Sequence, residues 1–319
     1  MIDSFNRKID YMRVSITDRC NLRCAYCMPE DVECINHDDV LRFEEHLRLF
    51  RIFAGLGIKY VRVTGGEPLV RKGWMGFVRE LKVVPGIERV TLTTNAVLLD
   101  QYLDDLVKIG LDGLNISLDT FNHEVYRQIT GFDVFEQVWA TIKKAVAMGL
   151  RVKLNCVPIR GVNDGEFLQM AALAHHMPLD IRFIELMPTS ITGDMEGIAT
   201  DDILAAIKTE YPHIARDDAI RGFGPAKYFK TAEMQGSLGF ISPISHEFCE
   251  SCNRIRLSSD GTLILCLHHN IGLDLRELLR GGASDKEIST AIVESVNKKP
   301  MRHLISEQVG LKHMSKIGG

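Results

Sequence analysis

Two sets of three cysteines are the residues best placed to do chemistry. Cys20, Cys24 and Cys27 follow the spacing C-x3-C-x2-C in "CNLRCAYC". Cys249, Cys252 and Cys266 follow C-x2-C-x13-C in "FCESCNRIRLSSDGTLILCL". Thiolates three or four positions apart on a loop can wrap one inorganic centre, as in iron–sulfur proteins. Zinc competes at both places, although a structural zinc site is normally closed by four protein ligands. Beside the first triplet the obvious fourth candidate is Cys34, which reads as a bystander loop thiol. Beside the second triplet His246, His268 or His269 would complete a zinc knuckle, so spacing alone leaves zinc and iron–sulfur both open there. With three ligands, a [4Fe–4S] cluster keeps one iron for a small molecule.

Arginines form the second chemical signal. Arg13 lies in "YMRVS", Arg62 in "YVRVT", Arg182 in "DIRFIE", and Arg160 in "VPIRGVND". Arg254 and Arg256, in "NRIRL", are two apart and project from one face of a strand. Arginine on a core strand is unfavourable unless a counter-anion meets it. One such residue reads as an ordinary ion pair, whereas several ask for an anionic ligand.

The elements that must position these residues follow a β/α rhythm. Strands are expected at "YMRVSIT", "IKYVRVT", "ERVTLTT", "GLNISLD", "RVKLNCV" and "DIRFIEL". Amphipathic helical segments such as "EEHLRLFRIFAGLG", "GWMGFVRELKVV", "YLDDLVKIG" and "VFEQVWATIKKAVAMG" separate them. Six units fit between about residues 10 and 220, fewer than the eight of a closed barrel. The expected fold is therefore α/β, a partial, open (β/α)6 TIM-like barrel over residues 1–220. A smaller C-terminal α+β domain is expected over 221–319, with strands at "GSLGFISPI", a hairpin turning on Asp260-Gly261, and a helix at "LDLRELLR".

Composition excludes several classes. The 319-residue chain has 42 acidic and 38 basic residues, a formal charge of −4, and 45% apolar residues. Weak net acidity without a basic stripe argues against nucleic acid and anionic membrane as partners. The first residues carry no apolar leader-like run, and nothing approaches a membrane span of about 18 residues. The cytoplasm is the expected location, where eight cysteines point to metal binding rather than disulfides.

The stretch "SITDRCNLRCAYCMP", followed by "VTGGEPL", resembles the radical S-adenosylmethionine (SAM) superfamily, with Tyr26 as the aromatic of its cluster loop. "RFIELM", "GPAKYF", "LGFISPI", the second triplet and the terminal "IGG" extend the resemblance nearly end to end. Together they are similar to the GTP 3′,8-cyclases of molybdenum cofactor biosynthesis. The resemblance implies a lyase that converts GTP to (8S)-3′,8-cyclo-7,8-dihydroguanosine 5′-triphosphate. It also implies SAM, a [4Fe–4S] cluster at the first triplet, and a second one, facing the guanine, at Cys249, Cys252 and Cys266. By the same resemblance Arg13, Arg62, Thr93, Arg160, Arg254 and Arg256 contact GTP. Tyr26, Gly66, Ser117 and Met187 surround SAM, and Arg182 supports the substrate site. Arg254, Arg256 and a Gly318-Gly319 tail entering the active site are its catalytic elements.

Other implied partners are a flavodoxin-like or ferredoxin-like electron donor and a downstream cyclic pyranopterin monophosphate synthase. The chain is expected to act as a monomer or homodimer. Three positions depart from the family pattern. Tyr60 stands where Lys is usual, Arg160 where Lys is common, and Ala96 where Gly is usual. Lys59 points away from Arg62 by strand alternation and does not replace the missing lysine. The rivals are a radical SAM enzyme acting on another nucleotide or a peptide, and a zinc-binding interaction module.

Overall fold

The computed structural model describes residues 1–28, 33–189, 191–219, 221–269 and 271–303. In chain order its elements are β1 (Tyr11–Ser15), α1 (Phe43–Gly55), β2 (Tyr60–Thr64), α2 (Trp74–Lys82), β3 (Arg89–Thr94), α3 (Leu103–Lys108) and β4 (Gly113–Ser117). There follow α4 (His123–Thr130), α5 (Phe135–Ala147), β5 (Val152–Cys156), α6 (Phe167–His176), β6 (Asp180–Ile184) and α7 (Thr200–Glu210). The remaining strands are β7 (Ala215–Asp217), β8 (Lys227–Lys230), β9 (Ser237–Ile241), β10 (Arg254–Leu257), β11 (Thr262–Ile264) and β12 (Gly272–Asp274). Helices α8 (Leu275–Arg280) and α9 (Asp285–Val296) close the described chain.

The chain groups into two compact units, one of residues 1–21, 27–93 and 249–319, the other of residues 22–26 and 94–248. In the first, the strand order is β12-β11-β10-β1-β2-β3. Strands β10, β1, β2 and β3 are parallel, and β11 and β12 add antiparallel. In the second, the order is β4-β5-β6-β9-β8-β7, again four parallel strands followed by two antiparallel ones. Both units thus follow one plan. The six β/α units read from the sequence are those of β1 to β6, three in each unit, and neither unit closes a barrel. Strands beyond residue 220 form no sheet of their own: β9 extends the row of β6, and β10 that of β1. Among the described residues no helix is long and apolar enough to cross a membrane.

Alternation along the strands sets up the first unit's two faces. Met12, Val14, Val61, Val63, Val90, Leu92, Ile255 and Leu257 are all at most 1% exposed and form one apolar face. Helix α1 buries Leu47, Leu49, Phe50, Ile52 and Phe53, the stripe expected of an amphipathic helix over such a core. Helix α9 begins with a reciprocal capping box between Ser284 and Glu287. The hairpin turns at Gly261, whose φ of +88° explains the glycine. Helices α4, α6 and α7 escape the sequence reading. Helix α4 is short and marked by its ends, an Asn122 N-cap and a left-handed Gly131.

One close approach anchors the chain ahead of the first cysteine. Gly66 N donates to Thr17 O at 2.7 Å and Glu67 N to Arg19 O at 2.8 Å. A Cβ on Gly66 would stand 2.4 Å from Arg19 O and 2.7 Å from its carbonyl carbon, both backbone atoms that cannot turn aside. The glycine is therefore required by the fold itself, whatever else approaches it. Gly66→Ala is expected to destabilise the metal-free protein by about 1–3 kcal/mol, the usual range for overpacking. Chemical denaturation of apoprotein checks this, and an unchanged midpoint would show that the turn relaxes.

Candidate functional site

The face opposite that apolar layer is polar. Register places Arg256 beside Arg13 and Arg13 beside Arg62, so three guanidinium-bearing residues form a row across β10, β1 and β2. Thr91 continues the row on β3, with Thr93 two residues further along the same face. One register step back, Arg254, Tyr11 and Tyr60 form a second row. Arg13 is held well below the ordinary arginine range by burial, and then by the charges of Arg256 and Arg62. Burial, followed by Arg254, lowers Arg256 to about 10. Arg62 makes no ion pair among the described residues; its buried Nε and Thr93 Oγ1 lack hydrogen-bond partners there. The Arg62 guanidinium lies 5.7 Å from the centroid of the Tyr11 ring.

Tyr60 shares this polar face, but its hydroxyl hydrogen-bonds Glu88, which also holds Lys59 at 2.5 Å. The phenol is thus engaged at the N-terminal end of β2 and does not take over a lysine's place beside Arg62. Neither does Lys59, whose ammonium is held by the same Glu88.

The three thiols of the first triplet are half-buried on the loop after β1. Cys34 is exposed. On the Cys24 side, Arg23 N and Ala25 N both donate at 2.9 Å to the carbonyls of Thr130 and Ile129, at the end of α4.

At the second triplet, Cys249 opens a short 3₁₀ turn, with Cys252 N donating to Cys249 O at 3.2 Å, and Cys266 follows β11. These thiols are also half-buried. Burial opposes ionisation of Cys252, but Lys299, Arg254, the backbone N–H of Arg254 and Arg7 outweigh it and hold the thiol below its usual range. A thiol so placed suits a metal centre that needs thiolate. The histidines weighed as a fourth ligand are otherwise engaged. His246 faces Asp201 at 3.2 Å, His269 Nε2 meets Arg302 O at 3.2 Å, and His268 lies against the ring of His303, centroids 5.0 Å apart. His303, unmarked in the sequence, brings a ring nitrogen within 4.8 Å of Cys249 Sγ.

In the second unit, Ser117, Asn155, Arg182 and Gly239 stand in register across β4, β5, β6 and β9. Arg182 is buried and donates to Asn115 Oδ1. Gly239 leaves the room that Tyr228 and Arg182 fill, since a Cβ there would stand 2.8 Å from the tyrosine ring. Cations here find acids: Lys153 meets Asp180 at 3.1 Å, and Arg221 meets Asp180 at 3.3 Å and Asp217 at 2.6 Å. Arg160 is exposed and paired with Glu196 at 2.8 Å. Met187 is half-buried just after β6, and Ala96 adopts φ +64°, the conformation in which a glycine would be at ease. Gly318 and Gly319 lie outside the described residues.

One group the sequence reading missed is Asp119, just past β4. It accepts from Tyr26 Oη and Val157 N, both at 2.8 Å, and burial nevertheless raises it to about 6. The "SLD" at a strand end was its only sequence signal. Tyr26 is thereby fixed by its side chain as well as by the loop.

Residues 14–174 match the family described as Radical SAM superfamily, and residues 179–305 match Molybdenum Cofactor Synthesis C. The chain is 46% identical to a GTP 3′,8-cyclase of Heliobacterium modesticaldum and 44% identical to one of Moorella thermoacetica, each alignment covering 100% of both proteins. Among solved structures, SuiB of Streptococcus suis bound to S-adenosylmethionine superposes with a TM-score of 0.65 at 16% identity, over 94% of this chain and 75% of that one. At that identity the likeness is one of fold.

Asp119 gives a pH signature. Its folded value, about 6, lies above the unfolded value of 3.8, so the folded state binds the proton more tightly. Its favourable contribution is full below the unfolded value and is lost as pH rises through about 6, a change of about 3 kcal/mol. Asp119→Asn removes that titration. Relative to wild type the variant is expected to gain stability by roughly this amount between pH 4 and 7, read from urea denaturation at both pH values.

Proposed function

Because this chain belongs to the radical SAM superfamily and to its GTP 3′,8-cyclase family, we propose that it forms 3′,8-cyclo-7,8-dihydro-GTP from GTP, the first step of molybdenum cofactor biosynthesis. Its cofactors are SAM and two [4Fe–4S] clusters. The observation that carries the substrate reading is the in-register row of Arg256, Arg13 and Arg62. A triphosphate is the kind of anion that several adjacent guanidinium groups, each able to make bidentate contacts, are suited to hold.

The two cysteine triplets fit the clusters: all six thiols are half-buried, and Cys252 sits among cations that favour its thiolate. Cys20, Cys24 and Cys27 would hold the first cluster, and Cys249, Cys252 and Cys266 the second. When bound, the first cluster and SAM supply the radical chemistry that removes hydrogen from the ribose of GTP.

The chain's own part is placement. Arg13, Arg62, Arg254, Arg256 and Thr93 bind the triphosphate and fix the nucleotide's register; Arg160 adds a cation from its exposed loop once its pair with Glu196 opens. Tyr26, held by Asp119, and Gly66, Ser117 and Met187 line the place of SAM. Arg182 supports the polar face around Ser117. Gly318 and Gly319 keep, by resemblance, the role of an active-site tail. In this reading residues 1–220 are the radical SAM core and 221–319 carry the second cluster.

We further propose a cytoplasmic enzyme, monomer or homodimer. It would draw electrons from a flavodoxin-like or ferredoxin-like protein and deliver its product to a cyclic pyranopterin monophosphate synthase. Anaerobic turnover with SAM, a reductant and each of the four nucleoside triphosphates tests the function. 5′-Deoxyadenosine and cyclised product are expected with GTP, and their absence with GTP overturns the reading.

Arg13→Met and Arg62→Met are expected to raise KM for GTP by about 10- to 100-fold, the loss of a charged hydrogen bond. The same variants should keep the iron content of the wild type. Steady-state kinetics beside iron analysis checks both.

A further inference from the structure

Two buried cations outside the arginine row flank the second cysteine triplet. Lys299, three residues past α9, is 3% exposed, and its Nζ donates to Leu265 O at 2.5 Å, next to Cys266. Arg7 is 7% exposed. Its Nε meets Asp3 Oδ2 at 2.7 Å, while its terminal nitrogens donate to Cys249 O at 2.9 Å, Pro300 O at 2.8 Å and Met301 O at 3.1 Å. Ser4 Oγ adds a bond to Asn297 O at 2.6 Å. The N-terminal turn, the segment after α9 and both ends of the triplet are thereby tied into one assembly.

Arg7 has Asp3 as its counter-charge. Lys299 has no carboxylate within ion-pair distance among the described residues, and a neutral carbonyl does not balance a buried ammonium. The acceptor Leu265 O belongs to the residue before Cys266, so the ammonium is fixed beside the second triplet.

On the reading of this triplet as an iron–sulfur site, we infer that Lys299 is a positioning residue for the second cluster: it anchors the Cys266 segment and compensates the negative charge of the thiolate-bound centre, while Arg7 clamps the Cys249 side. Three thiolates around an oxidised [4Fe–4S] core leave net negative charge, and one-electron reduction adds another. A fixed cation favours the reduced form, so its loss moves the potential to more negative values.

The test compares wild type with Lys299→Gln, which keeps a donor for Leu265 but not the charge, and Lys299→Arg, which keeps both. Three quantities are read on each reconstituted full-length chain: iron per chain, the redox titration of the two clusters followed by electron paramagnetic resonance, and denaturation of the metal-free form. Lys299→Gln is expected to shift only the second cluster's potential downward, or to lose that cluster's iron, with metal-free stability unchanged; Lys299→Arg restores the wild-type values. An unshifted potential in an iron-replete Lys299→Gln overturns the inference. So does loss of metal-free stability in both variants, which marks a merely structural residue. If wild type itself takes up zinc, or iron at the first triplet alone, the iron–sulfur reading of the second triplet fails first and the inference with it.

Discussion

Guanidinium groups brought side by side repel unless an anion lies across them, and this constraint shapes the first unit. Parallel pairing of β10, β1 and β2 aligns Arg256, Arg13 and Arg62 at one level. A slip of one residue would turn each of them into the apolar layer of Met12, Val14, Val61 and Ile255. The core beneath the sheet therefore enforces the cationic row above it. Hydrophobic burial on one face holds together what electrostatics on the other would push apart.

The second unit uses the same plan of four parallel and two antiparallel strands without that tension. Lys153 and Arg221 are met by Asp180 and Asp217, and Arg182 by Asn115. A balanced polar face is a scaffold that needs no ligand to be stable. Arg160, too, has its own acidic partner, Glu196.

The segments that carry the cysteines are each fixed by contacts to distant residues of the same unit. Ahead of Cys20 the constraint is steric, a glycine pressed against the carbonyl of Arg19. Around Cys249 and Cys266 it is ionic, with Arg7 and Lys299 holding carbonyls on either side. Thiolate ligands on loops need such support, since a loop alone does not hold three sulfurs in one geometry.

Local pattern was enough for the six β/α units, the hairpin at Gly261 and the cysteine triplets, because periodicity and spacing are properties of short stretches. The two-residue step of Arg254 and Arg256 was legible for the same reason. Tyr60 shows where that legibility stops: its strand face was evident, but its bond to Glu88 was not, since Glu88 lies 28 residues on, just ahead of the neighbouring strand β3. Asp119, Arg7, Lys299 and His303 were silent, their partners, Asp3 beside Arg7 apart, lying tens to hundreds of residues away. The arginines were visible singly, but that Arg13 stands level with both Arg62 and Arg256 was decided by strand register. Register is set by burial across the whole sheet, and no single segment carries it.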